Sequence, residues 1–554
     1  MAQGGLKIRV SQLDFHIGNF EQNTRKIIAE IAQAKASGSG LVVFPELAIC
    51  GYPPRDFLEF DDFIAQCEAS IAAIASQCTG ITAIVGAPVR NANASGKRLY
   101  NAACVLADGV VKQVVCKTLL PTYDVFDEYR YFEPNRSFDV VVVNGVRIAL
   151  TICEDLWNIE DPLYVVSPME QLMVMHPQLM VNIAASPFHY SQREKRIAVL
   201  QTNCQKYGLP LLYANHVGAQ TELIFDGGSM AMDAEGDLLA ELNYFEEDSR
   251  EFAFAEGRLT AATHAANTNS TASQSKIERI HSALLLGIGD YFRKLGFKKA
   301  VLGLSGGIDS AVVLCLAAEA LGKENVQTLL LPSPYSSQHS VDDAVALSNN
   351  LGTRYAIVPI GETYERLRSD LTPVFGAAPT GLTDENLQAR IRGVLLMGVC
   401  NTEGAILLNT SNKSEAAVGY GTIYGDMNGG LSVIGDLYKT EVYALAQFIN
   451  RNGEVIPEHI LTKAPSAELR PDQKDSDSLP DYAILDAILY HYIEERQGPE
   501  QIIALGFDGA LVHRVLRLVN LNEYKRYQTP PTLRVSSKAF GMGRRMPIVG
   551  KYLC

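Results

Sequence analysis

Long hydrophobic runs are missing from this 554-residue sequence. No stretch approaches the roughly 18 consecutive apolar residues of a membrane span, so no membrane partner is expected. The N-terminus, Met1-Ala2-Gln3-Gly4-Gly5, leads straight into an alternating segment over 6–15. It carries no apolar core of a signal peptide, which sets a cytoplasmic expectation. Positive charge is also short: Lys plus Arg number 48 against 62 Asp plus Glu, a formal charge of −14. That balance argues against nucleic acid as a partner, although local cationic sites can still meet anionic ligands. The ten cysteines include no Cys-x-x-Cys pair, so neither a disulfide framework nor a zinc site is expected. What is present in quantity is core material. At 47% hydrophobic and 20% charged residues, the chain suits two large folded units or about three smaller ones.

A second local absence marks the seam. The stretch AATHAANTNSTASQS at 261–275 has no Lys, Arg, Asp or Glu and no apolar periodicity, as expected of a linker. The division is therefore 1–260, a linker at 261–276, and 277–554. Before the seam, apolar strands at LKIRVSQLDF, LVVFPE, ITAIVGAP and MVNIAAS alternate with helical patterns over 23–36, 63–78 and 193–207. Two runs, 102–116 and 139–153, carry Asp-Gly or Asn-Gly at a hairpin position. A layered α/β sandwich fits this order. After the seam, KAVLGL, VQTLLL and YAIVPI alternate with helical segments, implying a doubly wound parallel sheet. Helices are expected to dominate up to about 521, with an irregular tail after 529.

Gly303-Leu304-Ser305-Gly306-Gly307-Ile308-Asp309-Ser310 joins an apolar strand to a helix. Glycines let backbone N–H groups approach phosphate oxygens, and the helix start favours negative charge. Ser305 and Ser310 can donate hydroxyl bonds, and Asp309 can hold magnesium. A glycine-rich bend with no ligand is the plainer alternative, weakened by serine on both sides and the acid at the helix start. The Gly-Lys-Ser/Thr ending of a Walker A loop is missing. Gly419-Tyr420-Gly421-Thr422-Ile423-Tyr424-Gly425 approximates a dinucleotide fingerprint with the wrong final spacing, and reads as a turn or ligand-lining loop. The segment SGGIDS resembles the pyrophosphate loop of the ATP pyrophosphatases.

Cys153 follows the apolar run ending Leu150-Thr151-Ile152. A lone cysteine there is more often core filling than nucleophile. Glu46 and Lys117 also follow apolar strands, and the trio suits amide cleavage: carboxylate base, thiolate nucleophile, ammonium for the oxyanion. His176, His189 and His216 match no Cys–His motif and are expected in core or surface roles. These contexts resemble the nitrilase superfamily, whose Glu–Lys–Cys triad maps to Glu46, Lys117 and Cys153, with a second acid at Glu128.

The two halves together resemble the glutamine-dependent NAD synthetases over essentially the entire chain. The resemblance implies a nitrilase-like α-β-β-α sandwich followed by an adenine-nucleotide alpha-hydrolase-like parallel sheet. It implies the substrates L-glutamine, ATP and deamido-NAD, a magnesium ion at Asp309 and Glu415, an ammonia tunnel, and a homo-oligomer formed through the synthetase half. Tyr123, Ser186 and Gln192 match glutamine-binding positions. Thr410, Lys439 and Ser466 match ATP positions beside the 303–310 loop, and Asn386, Glu415 and Lys525 match deamido-NAD positions. One departure is Ser191-Gln192, where relatives often have Gly-Lys, so position 192 brings no positive charge. Ile423 and Gly430 depart from the Lys and Asp that short ammonia-dependent enzymes often place there. The rival readings are another glutamine-dependent amidotransferase of the same ATP class and a non-catalytic nitrilase-fold scaffold.

Overall fold

The computed structural model describes residues 5–93, 95–159, 163–261, 274–471, 473, 475–477 and 479–553. It contains two compact units, Met1–Gln274 and Ser275–Cys554. Positions 262–273, most of the expected linker, lie outside the described residues.

The first unit is built on two sheets. One has seven strands in the order Arg258–Ala261, Asp248–Ala255, Leu6–Gln12, Leu41–Val43, Thr82–Arg90, Leu99–Ala107, Val110–Cys116. The other has six: Leu238–Glu241, Met230–Met232, Leu211–Asn215, Leu179–Ala184, Val146–Ile152, Val141–Val143. The short strand Leu41–Val43 shows how the layers form. Side chains alternate across a strand, so Leu41 and Val43 share a core with Ile148, Leu150 and Ile152 of the second sheet. Val42 instead joins Ile27 and Ile31 of helix Phe20–Ala36 and Ile74 of helix Asp61–Gln77. Leu200 and Cys204 bring helix Gln192–Tyr207 onto the second sheet. The result is an α-β-β-α sandwich. Both expected hairpins form, with Asp108 (φ 50°)–Gly109 (φ 81°) and Asn144 (φ 48°)–Gly145 (φ 83°) turning the chain. These left-handed pairs match the strand twist.

Register positions the first site. Val146–Ile152, Leu179–Ala184 and Leu211–Asn215 run parallel, with Ile152 opposite Ile183 and Ala184 opposite Asn215. Cys153, Ser186 and Asn215 therefore leave the sheet at one edge.

The second unit has a five-stranded parallel sheet, ordered Arg354–Ile357, Val326–Leu330, Lys299–Gly303, Ala405–Asn409, Leu431–Ser432. The strands Ala405–Asn409 and Leu431–Ser432, and those between Leu211 and Ala261, were not anticipated. Most are brief and buried, and a brief apolar run has no period to separate strand from helix; Asp248–Ala255 and Arg258–Ala261 are instead largely half-buried or exposed. The tail beyond 529 forms neither helix nor a long strand, yet Leu533, Val535 and Ser536 are buried. Asp436 holds it by accepting from Val535 N (2.8 Å), Ser536 N (2.7 Å) and Ser536 Oγ (2.7 Å). Among the described residues, no helix is long and apolar enough to cross a membrane.

Candidate functional sites

Glu46, Lys117, Glu128 and Cys153 converge in the first unit, all buried. Lys117 Nζ donates to Glu46 Oε1 at 2.7 Å and Glu128 Oε1 at 2.8 Å. Asn101 Nδ2 donates to the same two acids, at 2.6 and 3.2 Å, and Ala185 N closes on Glu46 Oε2 at 3.0 Å. Each carboxylate is thus oriented from more than one side. Burial pushes the Glu46 pKa up, opposed by Lys117 and reinforced by Glu128. Burial works against the Lys117 ammonium, but Glu128 and Glu46 outweigh it and hold the cation charged. The Cys153 thiol is pushed well up, first by burial and then by Glu46, with Lys117 pulling the other way. At rest the thiol keeps its proton, beside a carboxylate whose raised pKa suits it to receive one.

Backbone geometry presents these groups. Cys153 sits at φ 44° where strand Val146–Ile152 gives way to a single turn, Cys153–Leu156. The buried Asp155 carboxylate stitches that turn to the lysine segment. Its Oδ1 accepts from Thr118 N (3.0 Å) and Leu119 N (2.9 Å), its Oδ2 from Ile152 N (3.1 Å). Burial lifts its pKa to about 7 against those backbone donors. Gly86 lets the neighbouring strand run against the Glu46 segment; a Cβ there would overlap Leu47 N and lie 2.5 Å from Pro45 O. His216 is a core residue whose Nε2 lies 2.5 Å from Glu46 O; His189 bonds Ser191, and His176 sits in a turn at φ 51°.

Around this centre, Gln192 Nε2 donates to Ser186 Oγ at 3.1 Å. Tyr123 OH reaches both oxygens of Glu154 at 2.9 Å, and Tyr164 OH joins them at 3.2 Å. Tyr123, Ser186 and Gln192 therefore fall into two groups: a tyrosine–carboxylate group beside Cys153 and a neutral hydroxyl–amide pair.

The second unit has a cavity of about 300 Å³ lined by the whole 303–310 loop together with Thr410, Glu415, Lys439 and Ser466. The loop joins strand Lys299–Gly303 to helix Ile308–Leu321. Ser305 Oγ accepts from Gly307 N at 3.2 Å and lies 3.2 Å from Ser310 Oγ. Gly306 is left-handed (φ 78°), and a Cβ there would overlap Ser340 O. Lys439 Nζ bonds Asp309 Oδ2 and reaches Glu415 Oε1 at 3.3 Å. Burial opposes its charge, but Asp309 and Glu415 hold its pKa up. Burial pushes the Glu415 carboxyl to about 8 against the pull of Lys439, with Asp309 adding to the rise.

Asn386 and Lys525 are not on the cavity wall. Asn386 Oδ1 accepts from Thr422 Oγ1 at 2.6 Å, and Lys525 Nζ donates to Gly419 O (2.7 Å) and Gly421 O (2.8 Å). Both brace the glycine-spaced segment, which follows a helix rather than a strand and lines the cavity through Tyr420 and Gly425.

Two family models cover the chain: carbon-nitrogen hydrolase over residues 7–261 and NAD synthase over 280–529. It is 44% identical over 551 residues to the glutamine-dependent NAD(+) synthetase of Synechocystis, covering 98% of both chains. The Thermotoga maritima protein of that name is 39% identical, with 99% of each chain covered. This chain belongs to the glutamine-dependent NAD(+) synthetase family. The Acinetobacter baumannii synthetase solved in complex with adenosine diphosphate is 37% identical, with a TM-score of 0.77 over 98% of each chain. The buried Glu–Lys–Cys centre lies in the carbon-nitrogen hydrolase region and the loop-lined cavity in the NAD synthase region, as the family's two activities require.

Several residues of this synthetase's sites escaped sequence reading. Asn101 and Asp155 act through buried hydrogen bonds, and only Asp155's place beside Cys153 hinted at its role. Arg392 lines the cavity, its pKa lowered by burial to about 10. It ends the same stretch in which Asn386 was singled out, and a cation facing a cavity is the better signal.

Proposed function

We propose that this synthetase converts deamido-NAD to NAD, using ATP and ammonia released from L-glutamine, and yields AMP, pyrophosphate and L-glutamate. The carrying observation is the pairing in one chain of a buried Glu46–Lys117–Cys153 centre with a glycine-loop cavity. In the first unit, Glu46 takes the Cys153 proton and the thiolate attacks the glutamine amide carbon. Lys117 faces the developing oxyanion, since its charge is held in place before reaction. Ammonia leaves with the proton from Glu46, and water, deprotonated by Glu46, then hydrolyses the thioester to glutamate. Tyr123, Ser186 and Gln192 bind glutamine.

In the second unit, the 303–310 loop, Thr410, Lys439 and Ser466 receive ATP, and Asn386, Glu415 and Lys525 border the deamido-NAD site. The nicotinate carboxylate attacks the α-phosphorus and displaces pyrophosphate, and ammonia then replaces AMP on the acyl carbon. Among the described residues no three His, Cys, Asp or Glu side chains gather as a metal cage. Magnesium needs none, because one or two carboxylates with phosphate oxygens and water complete its shell. Asp309 and Glu415 supply that pair, already facing one cation in Lys439. Bound there, magnesium would neutralise phosphate charge. Exposed Leu382, Val394 and Tyr424 support assembly into a homo-oligomer through this unit, which sedimentation would test. Membership of the family favours this reading over another amidotransferase or a scaffold. NAD formation from deamido-NAD, ATP and magnesium, supplied with glutamine or with ammonium, tests it; no product from either nitrogen source would overturn it.

A further inference from the structure

The segment 463–469 lies over the nucleotide cavity, and every one of its residues lines that space. Its tie to the residues around Ser337 and Ser340 centres on one side chain. Glu468 Oε1 accepts from Ser337 Oγ (3.0 Å), Ser340 Oγ (2.8 Å) and Lys463 Nζ (2.7 Å). Its Oε2 accepts from Ser337 N at 3.2 Å. Ser337 is the N-cap of helix Gln338–Leu351, so the carboxylate sits where unpaired N–H groups favour an anion. Lys463 Nζ also bonds Ser340 Oγ, which closes a ring of Lys463, Glu468 and Ser340. Ser340 in turn carries the backbone oxygen against which Gly306 of the phosphate loop is packed.

Glu468 holds this position at φ 48°, a left-handed backbone that a side chain adopts only when its surroundings fix it. Its N–H donates to Ser466 Oγ at 3.1 Å, so the same residue orients the serine assigned to ATP. Further ties are Gln388 Nε2 to Leu469 O at 2.9 Å, Asp475 N to Pro465 O at 3.1 Å and Leu469 N to Gln473 Oε1 at 2.8 Å, with Ser466 Oγ also donating to Gln473 O.

We propose that Glu468 is a positioning residue for ATP: its carboxylate latches segment 463–469 to the phosphate loop through the first turn of helix Gln338–Leu351. This rests on the reading of the cavity as the ATP site. Latched, Lys463 and Ser466 stand over the cavity before the nucleotide arrives. Unlatched, they must be ordered at binding, and that cost appears in ATP affinity rather than in the chemical step.

The test compares full-length wild type with Glu468→Gln and Glu468→Gly in ammonium-dependent NAD formation. Glycine relieves the left-handed backbone but removes the latch; glutamine keeps an acceptor for the serine hydroxyls but loses the ion pair to Lys463. KM for ATP should rise about tenfold or more in Glu468→Gly, the scale of a lost charge-assisted bond, and less in Glu468→Gln. In both, kcat should stay near wild type and glutamine hydrolysis should be untouched. Trypsin should cut after Lys463 faster in Glu468→Gly, with ATP restoring protection. An unchanged KM in Glu468→Gly, or a fall in kcat at constant KM in the near-isosteric Glu468→Gln, overturns the latch. A wild-type enzyme that makes no NAD from ATP would instead remove the cavity assignment on which the latch rests.

Discussion

Asp155 shows how the first site depends on a residue that touches no reacting atom. Its two oxygens take three backbone N–H groups, from the segment after Lys117 and from the residue before Cys153. Asp155→Asn changes one oxygen into a donor, so at least one buried N–H faces another donor. The stranded group costs about 1–3 kcal/mol, and a shift near 1 Å between catalytic groups costs on the order of 100-fold in rate. Glutamine hydrolysis by this variant should therefore fall by up to about 100-fold, with KM for glutamine little changed. Steady-state glutaminase kinetics check this, and a KM effect without a kcat effect would refute the assignment. Lys117→Met removes the one cation bonded to both Glu46 and Glu128. Breaking a buried ion pair from one side destabilises by about 3–5 kcal/mol. Burial already raises the Glu46 pKa against the pull of Lys117, so without that cation it rises further and the native form binds a proton more readily than the unfolded chain. Stability of this variant should therefore recover as pH falls towards the ordinary carboxylate range, seen as a rising melting temperature. The convergence of Cys153, Glu46 and Lys117 was legible in the sequence because each follows an apolar run. Asn101, Asp155 and Gly86 were not, because their roles rest on donor geometry and close approach that no one-dimensional pattern carries.

At the level of elements, the strand–loop–helix unit around Gly303–Ser310 was the most readable part of the chain, and two of its three glycines make different demands. Gly306 is left-handed and packed on Ser340 O, whereas a Cβ on Gly303 would meet only Leu396 side-chain carbons, the nearest at 3.4 Å. Gly306→Ala combines about 1–2 kcal/mol of backbone cost with a clash against backbone that cannot swing away. Gly303→Ala meets an ordinary contact. Calorimetric titration with ATP should show binding weakened at least about tenfold in Gly306→Ala, and near wild type in Gly303→Ala. Equal effects of the two would mean that bulk in the loop, not its approach to Ser340, sets affinity. The missed elements have a common cause. Ala405–Asn409 reads AILLN, too short for any period and flanked by helices on both sides in sequence. Its identity as a strand comes from pairing with Lys299–Gly303, a contact more than a hundred residues away that local patterning does not record.

For the whole molecule, the decisive feature is that the Glu46–Lys117–Cys153 cluster and the glycine-loop cavity lie in different compact units. The family matches divide the same way, ending at 261 and resuming at 280. A stretch without charge or apolar periodicity marks that seam in the sequence. Substitutions in one unit should therefore act on one half-reaction. Cys153→Ala removes the nucleophile while leaving Glu46, Lys117 and Glu128 in their mutual bonds. Glutamine-supported NAD formation should fall to background, and ammonium-supported formation should persist, since free ammonia replaces what the thiol releases. Asp309→Asn is the mirror image. It weakens the carboxylate that faces Lys439 and the proposed magnesium, so NAD formation should fail with either nitrogen source while glutamine hydrolysis continues. Losing a metal's charge stabilisation costs several kcal/mol in such reactions, enough to separate the variants cleanly. Pyrophosphate release, glutamate formation and NAD formation, measured on both proteins, give a two-by-three pattern of results. Loss of ammonium-supported synthesis in folded Cys153→Ala would mean that the thiol also serves the second site, and the division of labour between the two units would have to be abandoned.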